Sequence, residues 1–397
     1  MASKLWNKET NPKTGERFEI YKGYLEVAHN GHADVDSLME GPYGDAWAER
    51  LNRCYSYDDP MDPELLHYYE SIGLRKQMFE TDNYWTRWAL FTPLSMFLPE
   101  NKDRKYPLIF VFHGGGNSLE SEEFSCGFQQ IAAREGFIVC NPQNTNPENV
   151  LRLLDLIKGM VPIDEERIYA TGYSQGGMQT TAVTKLHPEL FAAAAPSGNT
   201  VWDVRISEED EKRFAGNFLP FMQMVGACEP GNIVPYNEAH PRKNWGVNRP
   251  GDPIAMAFRP ETGDPTQNPE EMRKLMASFT KQYTPEERVG LVNRRLATLG
   301  CEARDVERCM KLGVLDGEVA WQLGFYGDKE EIRNCYGRKH YISDIYNTEG
   351  QLAFRYVVVA GAPHWPPVAM GEMVWEFFKR YRRDKATGKV VEDPYQY

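Results

Sequence analysis

Residues 164–177 read DEERIYATGYSQGG, and this stretch decides the fold. Residues 167–171 predict a short apolar strand, and the residues after Ser174 predict a helix. Between the two, Gly172, Ser174 and Gly176 form the pattern G-x-S-x-G. A chain that turns this sharply from strand into helix holds its serine in a strained conformation with the hydroxyl exposed. Side chains at 172 and 176 would collide with the neighbouring backbone, so glycine is needed at both positions. The whole pattern, with a strand before it and a helix after it, predicts that Ser174 is a nucleophile.

The alternation of strand and helix continues on both sides of this stretch. Predicted strands lie at residues 107–112, 137–140, 167–171, 192–195, 219–225, 341–346 and 354–360. Predicted helices lie at residues 120–134, 150–160 (capped by Asn149) and 175–187. Strands that alternate with helices over short connections form a mostly parallel sheet with helices on both faces. The predicted fold class is therefore α/β.

A glycine turn, His113-Gly-Gly-Gly116, ends the strand at 107–112. When a serine attacks a carbonyl carbon, backbone N–H groups must stabilise the oxyanion that forms. We predict that Gln175, at the start of the helix, donates one of these N–H groups. Gly115 is the predicted second donor, with Gly116 as the alternative. His113 is predicted to make structural hydrogen bonds rather than to act as a base.

A serine nucleophile needs a base, and in this fold the chain order is nucleophile, acid, histidine. His364 lies in a loop bent by glycine and proline, after the strand at 354–360 and before the last helix. This position predicts that His364 is the base. The other two histidines after the nucleophile's helix, His240 and His340, are predicted to be exposed to solvent.

The acid of the triad orients the histidine and stabilises its charged form. Glu229 follows the strand at 219–225 and is the predicted acid. Asp203, after the preceding strand, is the alternative. Asp316 and Asp344 are weaker candidates, because they lie in a predicted insertion and a later hairpin.

Four segments together resemble one enzyme family. They are the HGGG turn at 113–116, residues 164–177, GACEPGNIVPY at 226–236 and GAPHWP at 361–366. The chain resembles the polyhydroxybutyrate depolymerase and feruloyl (acetylxylan) esterase group of α/β-hydrolases over residues 80–236 and 340–383. The resemblance implies an α/β-hydrolase fold and a serine esterase with nucleophile Ser174 and base His364. The family's usual acid is Asp in a Gly-x-x-Asp turn, where this chain has Glu229.

The resemblance divides the chain into a catalytic core and two additions. The predicted core comprises residues 76–236 and 340–397, and residues 1–75 form an N-terminal extension packed on it. Residues 237–339 form an insertion between acid and base, with predicted helices at 269–283 and 285–299, and are placed to act as a lid. Trp202 and Trp365 are predicted to line the acyl or alcohol pocket.

Composition narrows the range of partners. The 397 residues carry a formal charge of −12, which disfavours nucleic acid and anionic membranes. No apolar run is long enough to span a membrane, and no signal peptide is visible. We therefore expect a cytoplasmic protein, or a secreted one if its N-terminus has been trimmed. The seven cysteines contain no C-x-x-C pair, which favours thiols over a zinc cluster, although bridges among Cys301, Cys309 and Cys335 stay possible in an exported protein.

The leading hypothesis is hydrolysis of a small or oligomeric ester of the feruloyl, acetyl or hydroxyalkanoate type, through an acyl-enzyme and without metal or organic cofactor. The alternative is a serine peptidase of the oligopeptidase type, which shares the triad order. A third hypothesis is a binding protein that has lost catalysis. The presence of Ser174, Glu229 and His364 argues against it, since binding alone requires none of them.

Overall fold

A ten-stranded sheet forms the centre of the protein. The computed structural model describes residues 61, 63–80, 84–114, 118–198, 207–214, 217–226, 285–309, 326–335, 338–359, 366–367 and 369–397. Ten of the described strands form this sheet, and two more form a smaller one. The strands are β1 (Leu74–Phe79), β2 (Trp88–Pro93), β3 (Tyr106–Phe112), β4 (Ile138–Pro142), β5 (Ile163–Tyr173), β6 (Ala193–Ser197), β7 (Phe221–Gly226), β8 (Lys329–Cys335), β9 (Arg338–Tyr346), β10 (Leu352–Val359), β11 (Tyr381–Arg383) and β12 (Val390–Glu392). Its α-helices are α1 (Pro63–Ser71), α2 (Leu119–Ser125), α3 (Phe128–Glu135), α4 (Pro147–Met160), α5 (Gln175–Leu186), α6 (Glu208–Phe214), α7 (Pro285–Thr298) and α8 (Met370–Phe378).

The strand order of the large sheet is β1-β2-β4-β3-β5-β6-β7-β10-β9-β8. Neighbours from β4 to β10 in this order pair in parallel. The strands at both ends pair antiparallel. β11 and β12 form a separate two-stranded sheet. The predicted α/β class, with a mostly parallel central sheet, is confirmed.

Helices cover both faces of this sheet. On one face, α1, α3 and α8 bury side chains such as Tyr69, Phe128 and Trp375 against the strands. On the other face, α4 packs Val150, Leu153, Leu154 and Ile157 against β3, β4 and β5. Because each central strand is buried on both faces, β3 reads as an unbroken apolar run with all seven residues buried.

The helix predicted at residues 120–134 is two helices. Gly127 has φ of 72°, a left-handed conformation that glycine adopts without steric cost. The chain therefore ends α2 at Ser125 and begins α3 at Phe128. Apolar spacing alone could not show this break, since the buried positions continue across it.

The prediction that Asn149 caps the next helix is wrong. Helix α4 begins at Pro147, and Asn146 occupies the N-cap position. Proline is favoured in the first helical turn, because its fixed φ suits the helix and it lacks an N–H that would need a partner. The Asn149 side chain instead donates to the carbonyl oxygen of Asn144 at 2.6 Å.

Part of the predicted lid packs against the sheet. The predicted helix at 285–299 is present as α7, whose Val292 and Leu296 belong to the same buried apolar cluster as Phe354 and Val358 of β10. Strand β8, also inside the predicted insertion, forms one edge of the sheet. The division into extension, core and insertion stays a prediction, and the predicted helix at 269–283 lies outside the described residues.

Among the described residues, Cys126, Cys140, Cys301, Cys309 and Cys335 are free thiols. Burial raises the pKa of Cys301 to about 12 and that of Cys309 to about 11.

Among the helices of the described segments, none has both the length and the apolar character of a membrane span.

Candidate active site

Ser174 lies in the turn that joins β5 to α5. Its φ and ψ are 57° and −118°, and among the described residues other than glycine it alone has a positive φ. Such a conformation costs on the order of 1–3 kcal/mol and is found where surrounding contacts hold it in place, often at functional sites. The Ser174 side chain is half-buried. The predicted strained serine between strand and helix is therefore present.

Gly172 and Gly176 allow this turn to form. A Cβ atom on Gly172 would lie 2.5 Å from the carbonyl oxygen of Phe112 and 2.7 Å from the carbonyl carbon of Gly176. A Cβ atom on Gly176 would overlap the same Phe112 oxygen and lie 2.9 Å from the carbonyl oxygen of His113. The predicted collision of side chains with backbone at both positions is confirmed.

Backbone hydrogen bonds fix the turn against the neighbouring strand. The N–H of Ser174 donates to the carbonyl oxygen of Ser197 at the end of β6, at 2.9 Å. The next residue, Gly198, donates its N–H to Met224 of β7 at 2.8 Å. The position of Ser174 therefore depends on the ends of three adjacent strands.

Gln175 is the first residue of α5, and its side chain is exposed. The first four N–H groups of a helix have no acceptor within that helix. They also carry the positive end of the helix dipole. The backbone N–H of Gln175 therefore lies at the positive end of α5, directly after Ser174.

His113 lies at the end of β3 and is only 7% exposed. Its Nε2 lies 2.8 Å from the carbonyl oxygen of Gln143, and its Nδ1 lies 2.9 Å from that of Gly114. Both ring nitrogens thus lie within hydrogen-bond distance of backbone carbonyl oxygens. These contacts support the predicted structural role of His113.

Sequence reasoning missed Glu122, which lies behind the glycine turn on α2. Its carboxylate accepts a hydrogen bond from the thiol of Cys126 at 3.0 Å. Burial raises the pKa of Glu122 to about 7, and the hydrogen bond from this thiol only partly offsets that rise. The available signal was the segment LESEEF directly after the turn, whose glutamates resemble a solvated helix face.

The strands that precede the predicted acid and base end side by side. Gly226 of β7 pairs with Val359 of β10 in parallel register. Because parallel strands share one carboxyl edge, the segments that follow both strands leave the sheet at the edge where β5 leads into Ser174. The other predicted site residues lie outside the described residues: Gly115, Trp202, Asp203, Glu229, His364 and Trp365.

Two of the weaker candidates are described. Arg355 donates to both carboxylate oxygens of Asp344, at 2.7 and 2.8 Å, and both residues are buried. Asp344 is thus occupied by an ion pair inside the sheet. The prediction that His340 is exposed is wrong, since it is 1% exposed. It lies in β9 between β8 and β10, where Arg333 and Val359 are its register partners.

A family model described as the prolyl oligopeptidase family matches residues 141–224. This segment runs from the end of β4 into β7 and contains the Ser174 turn. The chain has the α/β-hydrolase fold.

Relatives of this chain include a putative esterase, NocK, of Nocardia uniformis subsp. tsuyamanensis. It is 27% identical over 158 residues, which cover 35% of this chain and 43% of the relative. A poly(3-hydroxyalkanoate) depolymerase C of Paucimonas lemoignei is 27% identical over 127 residues, covering 26% of this chain and 30% of the relative. The chain thus spans less than half of either relative. The predicted resemblance to the depolymerase and esterase group is confirmed.

Among solved structures, this chain is similar to an acetyl xylan esterase from Aspergillus awamori. The TM-score is 0.44 at 12% identity, and the match covers 77% of this chain and 98% of that one.

Proposed function

We propose that this α/β-hydrolase is a serine carboxylic ester hydrolase. The observation that carries the proposal is the conformation of Ser174, held with a positive φ directly before the N–H groups that begin α5. A structural turn would gain nothing from this strain, because glycine at the same position would avoid it. A nucleophile gains from it, since the turn exposes the hydroxyl beside an oxyanion-binding helix end.

The proposed reaction has two halves. His364 takes the proton of the Ser174 hydroxyl while the serine oxygen attacks the ester carbonyl carbon. The N–H groups of Gln175 and Gly115 stabilise the oxyanion, and the tetrahedral intermediate collapses as His364 protonates the departing alcohol. Water, deprotonated by His364, then attacks the acyl-enzyme and releases the carboxylic acid and Ser174. Glu229 orients His364, with Asp203 as the alternative acid.

The proposed substrate is a small or oligomeric ester of the feruloyl, acetyl or hydroxyalkanoate type. The relatives named as a putative esterase and a poly(3-hydroxyalkanoate) depolymerase support this class. In the proposed site, Trp202 and Trp365 line the acyl or alcohol pocket, and no metal or organic cofactor takes part. The family model described as prolyl oligopeptidase keeps a serine peptidase as the second candidate.

A fluorophosphonate probe tests the nucleophile. Wild type should be labelled and should hydrolyse short p-nitrophenyl esters, whereas Ser174→Ala should do neither. A wild-type protein that neither labels nor cleaves any ester or peptide would contradict the enzymatic function. Comparing feruloyl, acetyl and hydroxybutyrate esters with an aminoacyl amide separates esterase from peptidase.

Two further variants assign the acid. Glu229→Ala should lower kcat by about 10³- to 10⁴-fold, because the histidine loses its orienting partner. Asp203→Ala should keep kcat near wild type. The reverse pattern would make Asp203 the acid.

A further inference from the structure

A buried tyrosine ring beside Ser174 packs against a glycine that follows β6. Tyr173, the last residue of β5, is 2% exposed. A Cβ atom on Gly198 would lie 2.5 and 2.6 Å from Cδ1 and Cζ of this ring and would overlap its Cε1 atom. Gly198 also has φ of 65°, a conformation that side chains disfavour. The ring thus occupies the space that a side chain at position 198 would need.

The Tyr173 ring is itself held in the core. It belongs to the same buried apolar cluster as Met370 and Trp375 of α8, and a closely packed interior leaves a ring of this size little room to turn away. Gly198 has a second contact, since its N–H donates to the carbonyl oxygen of Met224 at 2.8 Å. The chain that leaves β6 is therefore held both by Tyr173 and by β7.

The same end of β6 supplies the hydrogen-bond partner of Ser174. Tyr173 and Ser197 are register partners in the parallel pair β5–β6. The N–H of Ser174 donates to the carbonyl oxygen of Ser197 at 2.9 Å. A hydrogen bond between neutral backbone groups contributes no more free energy than a strained φ costs. It can therefore hold Ser174 only if its acceptor is fixed, and the Tyr173 ring fixes the residue directly after that acceptor.

We propose that Tyr173 is a positioning residue, whose ring packs on Gly198 and thereby keeps the Ser197 carbonyl oxygen in place to hold Ser174 in its strained conformation. Without the ring, the end of β6 shifts and the backbone of Ser174 relaxes. A nucleophile that is displaced by about 1 Å loses up to about 100-fold in rate. This catalytic consequence rests on the proposed esterase function, whereas the hold on the Ser174 backbone does not.

Tyr169 provides a matched control on the same strand. Its ring is fully buried in the same cluster as that of Tyr173, where it stacks on Phe378 with ring centroids 4.8 Å apart. Four residues separate it from Tyr173, which is about 13 Å along a strand. Removing the Tyr169 ring should therefore destabilise the core without disturbing the turn at Ser174.

The first test compares kcat of Tyr173→Ala, Tyr173→Phe and the control Tyr169→Ala on a p-nitrophenyl ester. Tyr173→Ala should lower kcat by about 10- to 100-fold with KM within about threefold, because the nucleophile moves while no substrate contact is removed. Tyr173→Phe keeps the ring and should keep kcat within about threefold, as should folded Tyr169→Ala. Equal losses in Tyr173→Ala and Tyr169→Ala would overturn the proposal. So would a loss in Tyr173→Phe as large as that in Tyr173→Ala, since the hydroxyl would then be responsible.

A second test approaches the contact from Gly198 and decides the proposal even if Tyr173→Ala fails to fold. Gly198→Ala should lower kcat by at least about tenfold, because its methyl group displaces the end of β6 from the Tyr173 ring. The control is Gly350→Ala, where φ is also positive, at 80°, but a Cβ atom would meet nothing within 4 Å. Folded Gly350→Ala should keep kcat within about twofold. A Gly198→Ala variant with the kcat of Gly350→Ala would overturn the proposal.

Hydrogen exchange of the Ser174 amide separates this proposal from the esterase function. At one pH, this amide should exchange at least about tenfold faster in Tyr173→Ala than in wild type or Tyr169→Ala, because its acceptor is no longer fixed. If wild type cleaves no ester but this difference is present, the esterase function fails while the hold on Ser174 stands. Equal exchange in Tyr173→Ala and Tyr169→Ala would overturn the proposal whatever the activity.

Discussion

The carbonyl oxygen of Phe112, at the end of β3, occupies the space that a Cβ atom on Gly176 would need. This contact brings the first turn of α5 against the last residue of β3. Helix α5 begins directly after Ser174, and β3 leads into the glycine turn at residues 113–116. Ser174, the proposed nucleophile, and the end of β3 are therefore held in one arrangement by backbone packing.

The contact predicts that Gly176→Ala is severely destabilising. The added methyl group meets backbone atoms, which cannot move aside as a flexible side chain could, so we expect a loss of at least about 3 kcal/mol in the free energy of unfolding. Fluorophosphonate labelling should fall with it. The matched control is Gly290→Ala in α7, where a Cβ atom would meet nothing within 4 Å. That change should leave stability equal or raise it by up to about 1 kcal/mol. Urea unfolding of both variants measures the difference, and similar losses in the two would contradict the steric argument.

The conformation of Ser174 predicts an unusual order of stability between two inactive variants. Both Ser174→Gly and Ser174→Ala remove the hydroxyl, so neither should turn over an ester. Alanine keeps the Cβ atom that is strained at φ of 57°, whereas glycine relieves it. We expect the glycine variant to be more stable than the alanine variant by about 1 kcal/mol, the reverse of their usual order. Thermal unfolding of the two proteins measures this, and an alanine variant of equal or greater stability would show that the turn carries no strain.

Local patterns predicted the serine turn and seven of the ten strands of the large sheet, but not β1, β2 or β8. Strands such as β3 are buried on both faces and read as apolar runs, and the G-x-S-x-G pattern encodes its own steric requirement. The broken helix at Gly127 was not predictable in this way, because buried positions continue from α2 into α3. The buried position of His340 was also missed, since it depends on β8 and β10 lying on either side of it.

Glu122 shows a different limit of sequence reasoning. A run of three glutamates within four residues has the composition of a solvated helix face. Burial of Glu120 and Glu123 depends on Arg87 and Lys76, which come from the approach to β2 and from β1, more than thirty residues earlier in the chain. Pairing between such distant residues follows from the tertiary fold and leaves no periodic signal in the segment itself.

The raised pKa of Glu122 predicts that stability depends on pH. The carboxyl group ionises near 4.5 in the unfolded chain and at about 7 in the folded protein. Between these values the folded state binds more protons, so the contribution of this group is full below pH 4.5 and is lost as pH rises to about 7. Glu122→Gln should therefore gain stability relative to wild type as pH rises from 4.5 to 7, by up to about 3 kcal/mol. Urea unfolding of both proteins across this range measures the gain, and a constant difference would show that Glu122 does not titrate there.

The ion pair between Asp344 and Arg355 predicts a variant that loses stability but keeps activity. Asp344→Asn leaves the buried guanidinium of Arg355 with Glu376, 3.2 Å away, as its carboxylate partner among the described residues. The change should cost about 3 kcal/mol in the free energy of unfolding. The folded protein should keep wild-type kcat, because both oxygens of this carboxylate are bound by Arg355 within the sheet and the proposed acid is Glu229. Glu331→Gln, which breaks a pair whose carboxylate is 42% exposed, is the control and should cost under about 1 kcal/mol. If Asp344→Asn instead lowers kcat as far as Glu229→Ala does, the acid of the triad lies on β9, and the assignment to the segment after β7 is wrong.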